Sequence, residues 1–200
     1  MPNLKFDLPV FVFISSFLLG CGATSQTATP SAPVKNKTVK TQNTAQNLLA
    51  YANVGFEKPL DGQFPKARTD AGQINKAEFG LMQEAAKSGK FGLGVVLEKG
   101  DFKVQYGIWR LKNKIDASKK YRFEFDVFLL SGHAQFFSQV DNSPWQRSPI
   151  QPLAQWQVVG TTIDGQFLTK GKPLNMHIDN IKGKEPGVLL VDNVRLYEIN

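Results

Sequence analysis

Aromatic rings and amides recur side by side in two short stretches of this 200-residue chain. One runs Val104-Gln105-Tyr106-Gly107-Ile108-Trp109-Arg110, the other Ala134-Gln135-Phe136-Phe137-Ser138-Gln139. A third group, Pro144-Trp145-Gln146-Arg147, follows a turn-forming Asp141-Asn142-Ser143. A flat ring offers an apolar stacking face, and amides or guanidinium groups beside it can bond hydroxyls. That combination suits recognition of a polyhydroxylated ligand such as a sugar ring. The candidate ligand-binding residues are therefore Tyr106, Trp109, Arg110, Gln135, Phe137, Gln139 and Trp145. Arg147 joins Trp145 at a cleft rim.

Chemistry of bond breaking has far less support. The sequence holds neither a Gly-x-Ser-x-Gly elbow nor a phosphate-cradling glycine loop. Glu124, Asp126 and Asp179 are the acids that could form a glycosidase pair. Glu124 and Asp126, however, alternate with Tyr121, Phe123 and Phe125 and so decorate the opposite, solvated face of their strand. His133 and His177 share no metal-ligand spacing and read as ordinary strand-end or surface residues. We expect a non-catalytic protein.

The elements that must position these groups are strands. Lys120-Tyr121-Arg122-Phe123-Glu124-Phe125-Asp126-Val127-Phe128 alternates strictly and predicts a half-buried strand. Further strands are expected at 91–97, 104–112, 134–140, 156–163, 174–178 and 188–199, separated by Gly-, Asn-, Asp- and Pro-containing turns. Residues 76–87 read as a short helix or, with Gly80 inside, as another strand. Gln135, Phe137 and Gln139 share one strand face and Phe136 takes the other. Trp156 is expected in the core; Trp109 and Phe137 divide between core and ligand. Fifteen Phe and three Trp supply apolar area for a substantial core. The spacing of short strands predicts an all-β sandwich or barrel.

The single cysteine, Cys21, ends the run MPNLKFDLPVFVFISSFLLGC. Its apolar stretch, Leu8–Leu19, is too short to span a bilayer of about 30 Å and has signal-peptide proportions. Leu18-Leu19-Gly20-Cys21 resembles a bacterial lipobox, which implies cleavage before Cys21 and a covalent diacylglycerol and acyl lipid on it. Leu19 stands where a small or β-branched residue is usual. An ordinary signal peptide or an uncleaved anchor is the alternative. Residues 1–20 are thus expected to be a signal peptide and 21–46 a flexible Thr/Ser/Ala/Pro-rich tether. The folded domain would occupy 47–200. The lipid anchor would be the chain's one hold on the membrane, with the outer membrane favoured because Gly22 is not Asp.

Net charge is +7, with 42% hydrophobic and 20% charged residues. Basic residues are not interleaved with aromatics as in nucleic-acid binders, so no nucleic-acid partner is expected. The surplus leaves a mild attraction to anionic envelope polymers.

Four separated segments carry a family resemblance. Asn47-Leu48-Leu49 followed by Asn53-Val54-Gly55-Phe56-Glu57 is similar to the opening of certain carbohydrate-binding modules. Ser88-Gly89-Lys90-Phe91-Gly92-Leu93-Gly94-Val95 is similar to their second motif. Ile115 through Phe123 resembles their central hairpin, and Leu190-Val191-Asp192-Asn193-Val194-Arg195-Leu196 their terminal strand. Val54 and Ser118 depart from the usual Pro and Gly. The chain resembles families 4, 9 and 22, which implies a jelly-roll β-sandwich of the galactose-binding type. It also implies a structural calcium ion at Glu57, Asp192 and the backbone of Lys90. Polysaccharide is then the expected partner, with a monomeric domain. An envelope protein bound on the same sandwich is the alternative.

Overall fold

The computed structural model describes residues 46–60, 66–69, 76–111, 113–140, 142–151, 154–180 and 185–199. The expected signal peptide, Cys21 and nearly all of the tether lie outside the described residues. Those described fall in one compact unit, Ala45–Asn200.

Ten strands build two five-stranded antiparallel sheets. In chain order they are β1 (Lys66–Thr69), β2 (Lys76–Met82), β3 (Gly92–Lys99), β4 (Asp101–Tyr106), β5 (Lys120–Ser131), β6 (Ala134–Val140), β7 (Gln146–Ile150), β8 (Gln157–Asp164), β9 (Leu174–Asp179) and β10 (Gly187–Ile199). The front sheet has the order β1-β4-β9-β6-β7, and the back sheet β2-β3-β10-β5-β8. An all-β sandwich is the architecture expected from the strand pattern, and the jelly roll is what the family resemblance implied.

Alternation decides which side chains fill the space between the sheets. From β5, Tyr121, Phe123, Phe125, Val127 and Leu129 point inward, and from β6 Ala134, Phe136 and Val140. Rings interlock there: Phe125 meets Phe136 edge-on at 4.9 Å, and Phe123 reaches both Phe136 and Tyr106. Each fully buried aromatic contributes on the order of 1.5–3 kcal/mol relative to exposure. With no second cysteine in the chain, packing of this kind has to hold the domain together.

Of the two readings of 76–87, the strand holds over Lys76–Met82, which forms β2 with Ala77, Phe79 and Leu81 packed on the core at a period of two. Other expectations are corrected. The strand expected over 104–112 stops at Tyr106, and Trp109–Leu111 forms a 3-10 turn. Trp156 is half-buried outside the core, edge-on to Phe128 at 5.9 Å on the outer face of the back sheet. It precedes β8, so the inward alternation of that strand does not capture it. Of the Pro144–Arg147 group, Gln146 and Arg147 begin a strand that zips onto β6 with Arg147 opposite Phe137.

Candidate functional site

Register on the front sheet assembles the site. β4, β9 and β6 pair so that Lys103, His177 and Phe137 form one cross-strand row, with Arg147 of β7 next to Phe137. The neighbouring row contains Gln105, Asn175 and Gln139, and the row on the other side sets Asp179 beside Gln135. All of these alternate with inward residues (Val104, Met176, Ile178, Phe136), so they belong to the outer face.

The first row carries the aromatic platform. His177 and Phe137 stack at 4.5 Å with 22° between planes. Trp145, just before β7, leans over both, 5.2 Å from Phe137 and 5.6 Å from His177. Trp145 stays 50% exposed while His177 is 3% exposed. Two rings therefore act as a base that fixes the third, which presents itself to solvent.

Beside it runs an ordered amide ladder. Gln105 Nε2 donates to Asn175 Oδ1 at 2.8 Å, and Asn175 Nδ2 donates to the Gln139 carbonyl at 3.3 Å. Gln139 Nε2 donates to the Ser143 carbonyl at 3.0 Å, and Ser143 Oγ accepts the Val140 N–H. These bonds fix the orientation of the turn that delivers Trp145. Gln135 lies half-buried on the same face.

Trp109 and Arg110 sit at the end of β4. The Trp109 ring lies against Gly107, where a Cβ would come within 1.8 Å of it, so only glycine fits. The ring is 50% exposed. Arg110 sits 5.6 Å over the ring of Tyr51, whose hydroxyl donates to the Gly107 carbonyl at 2.6 Å. Burial raises the Tyr51 phenol above its ordinary range, with Arg110 pulling the other way.

Tyr106 is the candidate that the structure removes. It is fully buried against Phe123, and burial pushes its phenol far up. Its strand carries large residues on both faces, so alternation alone did not say whether Gln105 or Tyr106 faces out. His177 is the opposite correction: it stands at the centre of the platform, not at an ordinary surface position. The signal was in Leu174-Asn175-Met176-His177-Ile178-Asp179, where polar residues take one face throughout.

A cavity of about 70 Å³ borders the segment that carries Trp145, lined by Ser143, Pro144, Gln146, Ser138, Thr162 and Asp164 among others. It is well below the roughly 300 Å³ of small-molecule pockets.

The residues expected around calcium meet at the other sheet. Phe56, at φ 54°, drops its ring into the core and turns Glu57 toward the 87–91 turn. Glu57 accepts the Lys90 N–H at 3.0 and 3.1 Å. Gly89, at φ +74°, leaves room for the Glu57 carboxylate, which a Cβ would strike. Asp192, fully buried, accepts the N–H groups of Lys87 and Ser88 at 2.9 Å and of Asn193 at 2.7 Å. A Cβ on Gly55 would lie 3.7 Å from Asp192 Oδ1 and 3.9 Å from Glu57 Cγ, so the two acids flank that glycine. Burial raises the Asp192 carboxyl against its N–H bonds, and Asp126 adds to the rise. A hard cation suits such a pair, and Asp192 Oδ1 and Glu57 Oε2 each keep an uncommitted lone pair. Among the described residues no group of three or more His, Cys, Asp or Glu side chains is placed for a metal. Backbone carbonyls or water would complete the shell.

Glu124 and Asp126 sit on the outer face of the back sheet. Arg195 grips Asp126 with two bonds (3.1 and 3.2 Å) and Glu124 with a third (3.2 Å), while Arg122 and Lys87 complete the network. Burial pushes Asp126 up, but bonds from Arg195, Lys87 and Asn193 outweigh it and hold the carboxyl below its ordinary range.

No family model matches the sequence, and no curated protein matches it either. Solved structures match its fold. A family 61 module, TmCBM61, solved in complex with β-1,4-galactotriose, aligns at TM-score 0.50 and 15% identity, covering 78% of this chain and 100% of that one. The family 11 module of the Clostridium thermocellum cellulase Lic26A-Cel5E aligns at 0.50 and 14%, covering 78% and 95%. A family 4 module gives 0.50 and 14%, covering 74% and 98%. With the front and back sheets in hand, these matches show that the chain has the jelly-roll β-sandwich fold of carbohydrate-binding modules.

Proposed function

We propose that this chain is a non-catalytic binding lipoprotein of the cell envelope that recognises a polysaccharide on the outer face of its front sheet. The observation that carries the reading is the Trp145–Phe137–His177 platform, with one half-exposed ring resting on two fixed ones. Gln135, Gln139, Asn175 and Gln105 beside it offer amides to hydroxyl groups, while the open sheet face lets a chain run across the strands. Stacking would supply affinity and the amides orientation. Trp109, at the end of β4, would hold a more distant sugar. A fold hosts many roles, so the matched modules support this reading less than the platform does. TmCBM61 nonetheless holds a galactotriose on the same architecture.

In this reading the lipid on Cys21 tethers the domain, most simply to the outer membrane, and residues 21–46 let it reach polymer. Glu57 and Asp192 hold a structural calcium ion that pins the domain's opening to its last strand; the ion takes no part in recognition.

A second reading rests on a different surface. On the outer face of the back sheet Val158 is 53% and Leu130 46% exposed, beside half-buried Phe128 and Trp156. Such apolar exposure also suits an envelope protein partner.

Affinity electrophoresis of the full chain in detergent micelles, through gels containing individual polysaccharides, separates the two. Retardation that disappears in Trp145→Ala supports glycan recognition. A folded protein that no polymer retards sinks it and shifts the weight to the back-sheet surface.

A further inference from the structure

We propose that the glycan held on the front sheet is anionic, bearing uronate carboxylates or sulfate esters; this rests on the polysaccharide reading above. The argument is the way charge divides between the two faces of the sandwich. The outer face of the back sheet contains Glu78, Glu98, Glu124, Asp126 and Asp192, all at outward positions of β2, β3, β5 and β10. Glu124 and Asp126 are there neutralised by Arg122, Arg195 and Lys87. On the front sheet the described outward register positions hold two acids, Asp101 and Asp179, against four bases, Lys66, Arg68, Lys103 and Arg147.

Two acids against four bases leave this face with a surplus of positive charge. Arg147 is exposed, stands opposite Phe137 in register, and follows Trp145 by two residues. Among the described residues its side chain enters no ion pair or hydrogen bond. At the other end of the face, Gly171 lies against Trp109, which brings the turn containing exposed Lys170 and Lys172 next to exposed Arg110. Each exposed tryptophan therefore has cations beside it.

A neutral glycan can accept hydrogen bonds from such groups but leaves their charge unmatched. A guanidinium beside a stacking ring matches a sugar that carries a planar carboxylate, or a sulfate, on the ring being stacked. A polyanion would also be steered to this face by the long-range field of the surplus charge.

The test is affinity electrophoresis of the full chain in detergent micelles against polygalacturonate, a sulfated galactan, neutral β-1,4-galactan and DNA. Wild type is compared with Arg147→Ala, Arg147→Lys and Trp145→Ala, each checked for folding by thermal melting. The proposal expects an anionic glycan to bind at least tenfold tighter than neutral galactan. Arg147→Ala should lose about tenfold, Arg147→Lys should recover part of it, and Trp145→Ala should lose tenfold to a hundredfold. Polygalacturonate alone identifies carboxylate as the recognised group, and the sulfated polymer alone identifies sulfate. Equal binding of neutral galactan, lost in Trp145→Ala but unmoved by Arg147→Ala, overturns the anionic proposal and leaves the polysaccharide reading intact. DNA binding as strong as glycan binding, insensitive to Trp145→Ala, overturns it as bare charge. If no polymer binds, both readings fall.

Discussion

Removing the Trp145 ring takes away the exposed part of the platform while leaving Phe137 and His177 stacked beneath it. The fold should survive, because the ring is half in solvent, and binding should not. We expect Trp145→Ala to weaken polysaccharide retardation tenfold to a hundredfold, on the order of 1.4–2.8 kcal/mol, as for an aromatic anchor. Tyr106 makes the complementary case. Its buried hydroxyl has no hydrogen-bond partner among the described residues, and an unsatisfied buried hydroxyl costs about 1 kcal/mol or more. Tyr106→Phe should therefore bind as wild type does and unfold at equal or higher urea concentration. A binding loss in that variant would mean that the residue faces the ligand after all.

At the scale of the element, the bulge in β10 between Asp192 and Arg195 does two things. Asn193 adopts φ 52°, a conformation asparagine tolerates better than most residues. The extra residue lets Asp192 turn to the 87–88 backbone while Arg195 still reaches Glu124 and Asp126. The Asp126 carboxyl is held below its ordinary value, so its contribution to stability is complete above the unfolded-state value near 3.8 and is lost as pH falls through the lower folded value. Urea midpoints measured from pH 6 to pH 2 should fall at the acid end, and Asp126→Asn should flatten that fall while lowering stability at pH 6. An unchanged acid limb in the variant would remove Asp126 from the account. Reading β10 from sequence was straightforward, since Val188–Ile199 was expected and Gly187–Ile199 is found. Its bulge was not legible, because the register shift arises from pairing with β5, some seventy residues earlier.

For the whole molecule, one sandwich separates the proposed recognition face on the front sheet from the proposed cation site at the seam where the domain's first residues meet its last strand. Asn47 makes that seam visible: its side chain bonds the Val194 carbonyl and the Leu196 N–H. If calcium sits between Glu57 and Asp192, saturating metal at a hundred times its Kd adds about 2.7 kcal/mol. For a domain of this size that corresponds to a melting temperature roughly 5–10 °C higher than in chelator. Identical melts with calcium and with EDTA would dismiss the ion, and glycan retardation should be the same in both because the platform lies on the other sheet. Core packing sets the larger scale, and Phe123→Ala, which opens a hole among Tyr106, Phe136 and their neighbours, should cost about 3–5 kcal/mol.

Local alternation determined much of this protein before any tertiary contact was known. It placed Tyr121, Phe123 and Phe125 inward and Glu124 and Asp126 outward, gave β6 its bounds, and put Gln135, Phe137 and Gln139 on one face. Side-chain direction in a strand follows from the backbone period of two and requires nothing distant. The tertiary structure decided everything that depends on which strands become neighbours. His177 meets Phe137 because β9 inserts between β4 and β6, forty residues from its partner. Trp145 joins them because β7 closes the edge of that sheet, and Glu57 finds Lys90 because Phe56 takes a rare backbone angle. β4, with bulky residues on both sides, could have turned either face outward. Only packing against Phe123 sends Tyr106 to the core and leaves Gln105 on the outer face, since burying the larger ring removes more apolar surface from water.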